Sequence, residues 1–177
     1  RVFAEKGAEV SLITGPTQQI IEHSNVTRYD VKNAAQMYDK TVECFENCDI
    51  AILSAAVADY TPKSTFNTKL KKNTDNLVVE LVPTKDILAE LGKRKKENQI
   101  LVGFALETDN ELENAKEKLL RKKLDCIVLN SLNDAGAGFN VPTNKVTILD
   151  AKGNIYNSDL KSKYEVALDI SEKILNL

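Results

Sequence analysis

Short apolar runs alternate along this chain with stretches in which apolar residues recur every three or four positions. Residues 9–14 (EVSLIT) read as a buried strand, broken by Gly15-Pro16. A weaker strand is predicted over 26–31. Residues 33–46 carry Ala34, Met37, Tyr38, Thr41, Val42 and Phe45 on one helical stripe. Residues 49–56 (DIAILSAA) form an apolar run of the kind buried on both faces of a parallel sheet. Further strands are predicted over 77–82, 100–105 and 126–130. Helices are predicted over 86–96, 110–123 and from about 161 to 177. Residues 145–149 and 155–156 flank Asp150-Ala151-Lys152-Gly153-Asn154, a hairpin signal. Residues 60–76 are polar and basic without helical period, and a long connection of this kind is usually functional or disordered.

Strands alternating with helices predict an α/β fold, a Rossmann-like open parallel sheet with helices on both faces. Right-handed crossovers bring the strand carboxyl ends to one edge, where ligands bind. The loops after Thr14, Ala56, Ala105 and Asn130 therefore become the candidate site. The 177 residues fit one domain, with no internal repeat. The opening Arg1-Val2-Phe3-Ala4-Glu5-Lys6-Gly7 reads as the tail of a helix closed by a glycine, so we expect a chain lacking its first strand.

Composition narrows the classes. A hydrophobic share of 42% is that of a globular chain. With 24 basic and 26 acidic residues, no overall basic footprint points to nucleic acid, and no apolar run is long enough for a membrane span. Three cysteines (Cys44, Cys48, Cys126) and the lone His23 argue against both a disulfide framework and a zinc set. Cys126 reads as a small core residue. A reducing cytoplasm is expected.

Candidate chemistry is carried by four segments. In Ser54-Ala55-Ala56-Val57-Ala58-Asp59-Tyr60, small residues at a strand exit admit a ligand to the backbone, and Asp59 places a carboxylate to meet a sugar hydroxyl or base amine. The same residues also suit tight packing with a solvated aspartate. In Lys69-Leu70-Lys71-Lys72, an extended backbone turns Lys69 and Lys71 to one side, which suits a triphosphate or a charged edge strand. Lys118 and Lys122 stand one helical turn apart, as a phosphate cradle or as a snorkelling surface pair. Phe104 is a base-stacking aromatic or a core residue. The loop from Asn130 to Asn140 is rich in turn formers. No G-x-G-x-x-G, Walker A or G-x-S-x-G motif is present, nor a tyrosine-x-x-x-lysine pair, which disfavours nicotinamide chemistry.

Taken in order, Ala55-Ala56-Val57-Ala58-Asp59-Tyr60, Lys69-Leu70-Lys71-Lys72, Lys85-Asp86-Ile87-Leu88, Val102-Gly103-Phe104-Ala105-Leu106-Glu107-Thr108, Lys118, Lys122 and the segment from Asn130 to Gly138-Phe139-Asn140 resemble the phosphopantothenoylcysteine synthetase (phosphopantothenate–cysteine ligase) family. In bacteria this is usually the C-terminal half of a bifunctional coenzyme A biosynthesis protein. The likeness spans nearly the whole chain, and the combination is specific where each motif alone is weak. It implies a CTP-dependent ligase acting on 4'-phosphopantothenate and cysteine through an acyl-cytidylate, with Mg²⁺ held by phosphates.

By resemblance, Ser54, Ala55 and Asp59 meet the cytidine, Lys69, Lys118 and Lys122 hold phosphates, and Lys69 is catalytic. Lys85, Asp86, Ile87, Leu88 and Phe104 wall the nucleotide site. Ala55, Ala56 and Asn130 face the acyl intermediate, and no residue is assigned as a metal ligand. Residues 60–82 correspond to a dimerisation arm, which implies a homodimer whose arms close each other's sites. The family's first strand and its asparagine-serine-serine-glycine-lysine loop would precede Arg1, and native fusion to a flavin-dependent decarboxylase is implied. The competing readings are a nucleotide-binding or regulatory domain without turnover and a nicotinamide-dependent oxidoreductase.

Overall fold

The computed structural model describes residues 1–66, 68–69, 77–107, 109–131 and 141–177. In chain order the elements are α1 (Val2–Glu5), β1 (Val10–Thr14), β2 (Val26–Asp30), α2 (Ala34–Phe45), β3 (Ile50–Leu53), β4 (Tyr60–Pro62), β5 (Leu81–Pro83) and α3 (Ile87–Arg94). They continue with β6 (Ile100–Glu107), α4 (Glu111–Arg121), β7 (Cys126–Ser131), β8 (Thr143–Asn144), β9 (Val146–Asp150), β10 (Ile155–Asn157), β11 (Lys161–Ser162) and α5 (Lys163–Leu175).

Strands β3, β6 and β7 pair in parallel, and β9 and β10 extend the sheet antiparallel, in the order β10-β9-β7-β6-β3. The hairpin at 150–154 forces the last pair to be antiparallel. Asp150 Oδ1 accepts from the Lys152 and Asn154 amides, each at 2.9 Å, and Gly153 takes φ +89°, which a side chain resists.

Side-chain alternation divides β6 and β7 between two cores. Leu101, Ala105, Ile127 and Leu129 face one side, where Phe45 of α2, Ile87 and Leu91 of α3, and Ala115 and Leu119 of α4 cover them. Val102, Cys126 and Val128 face the other side, under Val166, Ile170 and Ile174 of α5, with Phe3 of α1 packed alongside. Helices therefore lie on both faces, as the runs at 100–105 and 126–130 predicted. Each of the larger side chains buried here contributes about 1.5–3 kcal/mol.

Local chemistry sets the helix ends. Asn33 caps α2 by accepting from the Gln36 amide, Asp86 caps α3, and Ser162 with Glu165 forms a capping box at α5. Helix α4 stops at Arg121 rather than at 123. Lys122 is its C-cap, and Lys123 takes a positive φ of 53°.

Two regions depart from a single continuous sheet. Strands β1 and β2 pair only with each other, in parallel, and among the described residues the second edge of β1 and the outer edge of β3 have no ladder partner. The strand expected over 77–82 is reduced to β5, which pairs antiparallel with β4 as a two-stranded arm. Its apolar pattern finds no core in a single chain: Leu77, Val78, Val79 and Leu81 are exposed, as are Tyr60 and Phe66. The segments 70–72 and 132–140, which carry part of the expected lysine motif and the loop after Asn130, lie outside the described residues.

Helix α3 meets the end of α4 at Gly92, where an added Cβ would stand 1.9 Å from the Lys122 carbonyl oxygen. Gly92→Ala should therefore lower stability by about 1–3 kcal/mol in urea unfolding. A change of only a few tenths would mean that the two helices have slack there. Burial pushes the Cys126 thiol up to about 12, while Cys44 and Cys48 are half-buried. At pH 8 a disulfide reagent should leave Cys126 unmodified in the native chain and label it on unfolding; rapid labelling of all three thiols in the native state would contradict this burial.

Candidate functional site

The carboxyl ends of β1 and β3 and the middle of β6 open into one cleft of 1930 Å³. An ordinary small-molecule site occupies about 300–1,000 Å³. The excess arises because the cleft runs along the unpaired edges of β1 and β3, with residues 10–15 and 49–55 as its facing walls.

Two loops and the last turn of α4 converge at one end of this cleft. The exit from β3 supplies Ser54, Ala55 and Asp59. Thr84 fastens this exit to the entrance of α3, its Oγ1 donating to the Ala58 carbonyl at 2.7 Å and its amide to the Asp59 carbonyl at 2.8 Å. The α3 entrance adds Lys85, Asp86, Ile87 and Leu88. Lys85 Nζ lies 4.3 Å above the centre of the Tyr38 ring, so an aromatic of α2 sets its direction. Asp86 accepts from the Ala89 amide with Oδ1 at 2.9 Å, closing the first turn of α3, and pairs through Oδ2 with Lys122.

Helix α4 contributes cations from its last turn, where the helix dipole favours them. Lys118 Nζ donates to the Phe104 carbonyl at 3.0 Å, and Phe104 itself lines the cleft from the middle of β6. Arg121 and Lys122 complete the wall. Burial pushes the Lys122 pKa down, and the nearby Asp59 carboxylate opposes that shift. Cations at i, i+3 and i+4 thus meet Lys85 across a gap whose carboxylates at this end are Asp59 and Asp86. Such an arrangement neutralises a polyanion while leaving acceptors for hydroxyl or amine groups.

The structure therefore gathers Ser54, Ala55, Asp59, Lys85 and Asp86 with Ile87, Leu88, Phe104, Lys118 and Lys122. Ala56, Lys69 and Asn130 are not brought in. Ala56 is exposed beside the cleft, and Lys69 is exposed on the arm segment. Asn130 Oδ1 accepts from Asn144 Nδ2 at 2.9 Å, tying β7 to β8. The sequence reading missed Arg121, Thr84 and Tyr38. Arg121 was legible as the i+3 neighbour of Lys118. The other two act through contacts between elements and left no local signal. Among the described residues no three His, Cys, Asp or Glu side chains come together.

Comparison with known proteins places the chain in a family. The chain is 55% identical over 174 residues to a cysteine/cysteine sulfinic acid decarboxylase of an unknown prokaryotic organism, covering 98% of this chain and 48% of that protein. It is 42% identical over 171 residues to the coenzyme A biosynthesis bifunctional protein CoaBC of Bacillus subtilis (strain 168), covering 97% of this chain and 42% of that protein. The chain spans about half the length of these curated relatives. The crystal structure of the C-terminal domain of a CoaBC protein superposes with a TM-score of 0.80 at 36% identity, over 98% of this chain and 76% of that one. The model of the DNA/pantothenate metabolism flavoprotein C-terminal domain matches residues 1–177, and the chain belongs to that family.

Proposed function

We propose that this domain is a CTP-dependent ligase that joins 4'-phosphopantothenate to cysteine in coenzyme A biosynthesis. The observation that carries this reading is the convergence of Lys85, Lys118, Arg121 and Lys122 with Asp59 at the carboxyl-end cleft. Relatives named as coenzyme A biosynthesis bifunctional proteins support the pathway.

A carboxylate is a poor acyl donor until it becomes a mixed anhydride. In the proposed first step the phosphopantothenate carboxylate forms a bond to the α-phosphorus of CTP, and the bond to pyrophosphate breaks. The cysteine amine then attacks the acyl carbon, and CMP leaves with the electron pair. Lys118, Lys122 and Arg121 neutralise the charge that grows on the leaving pyrophosphate. Asp59 accepts from the cytidine, with Ser54 and Ala55 beside it. When bound, Mg²⁺ supplies further charge neutralisation on the phosphates.

Lys69 is exposed and outside the cleft of its own chain, so its proposed catalytic role is exercised on a partner subunit. The exposed Tyr60, Phe66, Leu77, Val78, Val79 and Leu81 favour a homodimer built through this arm. The facing, unpaired edges of β1 and β3 favour a further strand between them. The relative named a decarboxylase favours a second reading, in which this domain accompanies a decarboxylating partner domain. The chain covers 48% of that protein, so the remainder has room for such chemistry.

Incubation of the purified chain with 4'-phosphopantothenate, Mg²⁺ and CTP should release pyrophosphate, and ATP should serve poorly. Equal release with ATP, or none with CTP, would remove the cytidylate reading. Lys69→Gln should keep the thermal midpoint and lower pyrophosphate release roughly tenfold or more. Mixing Lys69→Gln with Lys118→Gln under conditions of subunit exchange should restore part of the activity. Absence of recovery in verified mixed dimers would place Lys69 in its own subunit's site or outside the chemistry.

A further inference from the structure

Each lysine of the carboxyl-end cleft is already engaged by the protein. Lys85 lies on the Tyr38 ring, Lys118 donates to the Phe104 carbonyl, and Lys122 pairs with Asp86. The last contact differs from the others because its partner is an anion. The Lys122 side chain is only 12% exposed, and an ammonium that deep needs a counter-charge, which Asp86 supplies by direct contact and Asp59 from nearby. Asp86 is 52% exposed and lies 36 residues earlier in the chain. Its duty to α3 uses the other oxygen: Oδ1 takes the Ala89 amide, a bond that a neutral asparagine or serine makes equally well. The negative charge of Asp86 is therefore surplus to the cap and serves Lys122.

We propose that Asp86 is a resident counter-ion, holding the Lys122 ammonium until a ligand arrives and giving it up to that ligand's phosphate. Gly92 seats α3 directly on the carbonyl of Lys122, so the lysine backbone stays fixed while its side chain changes partner. Asp86 then acts as a positioning residue with two opposite effects. It keeps Lys122 aimed into the cleft, and it competes with every anion that would use that lysine. Arg121, on the same wall and without an ion pair among the described residues, remains available for a second phosphate oxygen while the exchange occurs. A polyphosphate that reaches Lys118, Arg121 and Lys122 together outcompetes one carboxylate; a single weak anion does not.

This inference rests on the reading of the cleft as a polyphosphate site, and inorganic pyrophosphate tests it without the nucleoside. Calorimetric titration in low salt with EDTA should show Asp86→Asn binding pyrophosphate roughly threefold to fivefold more tightly than the unmodified chain. The gain should vanish when Lys122→Met is also present, since the carboxylate acts through that lysine. Asp86→Ser, another uncharged cap, should repeat the gain and guards against a defect particular to asparagine. Unchanged or weaker binding in folded Asp86→Asn and Asp86→Ser would overturn the proposal and make the carboxylate a ligand contact or a purely structural tie. No pyrophosphate binding by the unmodified chain would overturn it too. Pyrophosphate binding with the predicted gain, but without CTP binding, would leave this inference standing and sink the cytidylate reading alone.

Discussion

Parallel pairing of β3, β6 and β7 is the constraint from which the rest follows. Because these strands run the same way, their carboxyl ends must emerge on one edge, and each return path must cross a face of the sheet. The alternation along β6 and β7 then divides the apolar residues between two cores, one beneath α2, α3 and α4 and one beneath α5 and α1. The α3 entrance is consequently delivered to the same edge as the loop after β3, while α4 returns toward the amino edge and reaches back with the side chains of its last turn. A phosphate-sized group at that edge meets side chains from three separate segments.

Charge balance at that edge is local and tightly arranged. An aromatic face, a carbonyl and a carboxylate each hold one of the cleft lysines. These contacts keep the cations aimed inward before a ligand arrives, reducing the reorganisation that binding requires. The capping aspartate of α3 belongs to this balance as much as to the helix, which joins the stability of the scaffold to the electrostatics of the site.

Two features remain without a partner inside the described chain. One is the pair of facing strand edges that lengthens the cleft. The other is the arm, whose apolar residues stand in solvent. Unpaired ladder groups and exposed apolar side chains are both costly. The relatives that share this domain are about twice its length, so the domain is joined to further polypeptide in those proteins.

The sequence by itself determined the longer elements, the two-faced α/β arrangement, the hairpin at 150–154 and most of the charged residues that meet beside the loop after β3. Apolar spacing of two or about three and a half writes strand and helix directly into the chain, and caps such as Asp86 and Ser162 mark where helices begin. The 77–82 run misled because its strand pattern lacks a buried face within one chain, so only Leu81–Pro83 pairs. Tertiary structure alone decided that Lys122 meets Asp86, that Lys118 is held by the carbonyl of Phe104, that Tyr38 aims Lys85 and that Asn130 turns to Asn144. Those contacts join segments up to 47 residues apart, and periodicity reports only which face a side chain takes on its own element. Which residue faces it across the gap is set by crossover, register and helix docking, and these exist only once the sheet has formed.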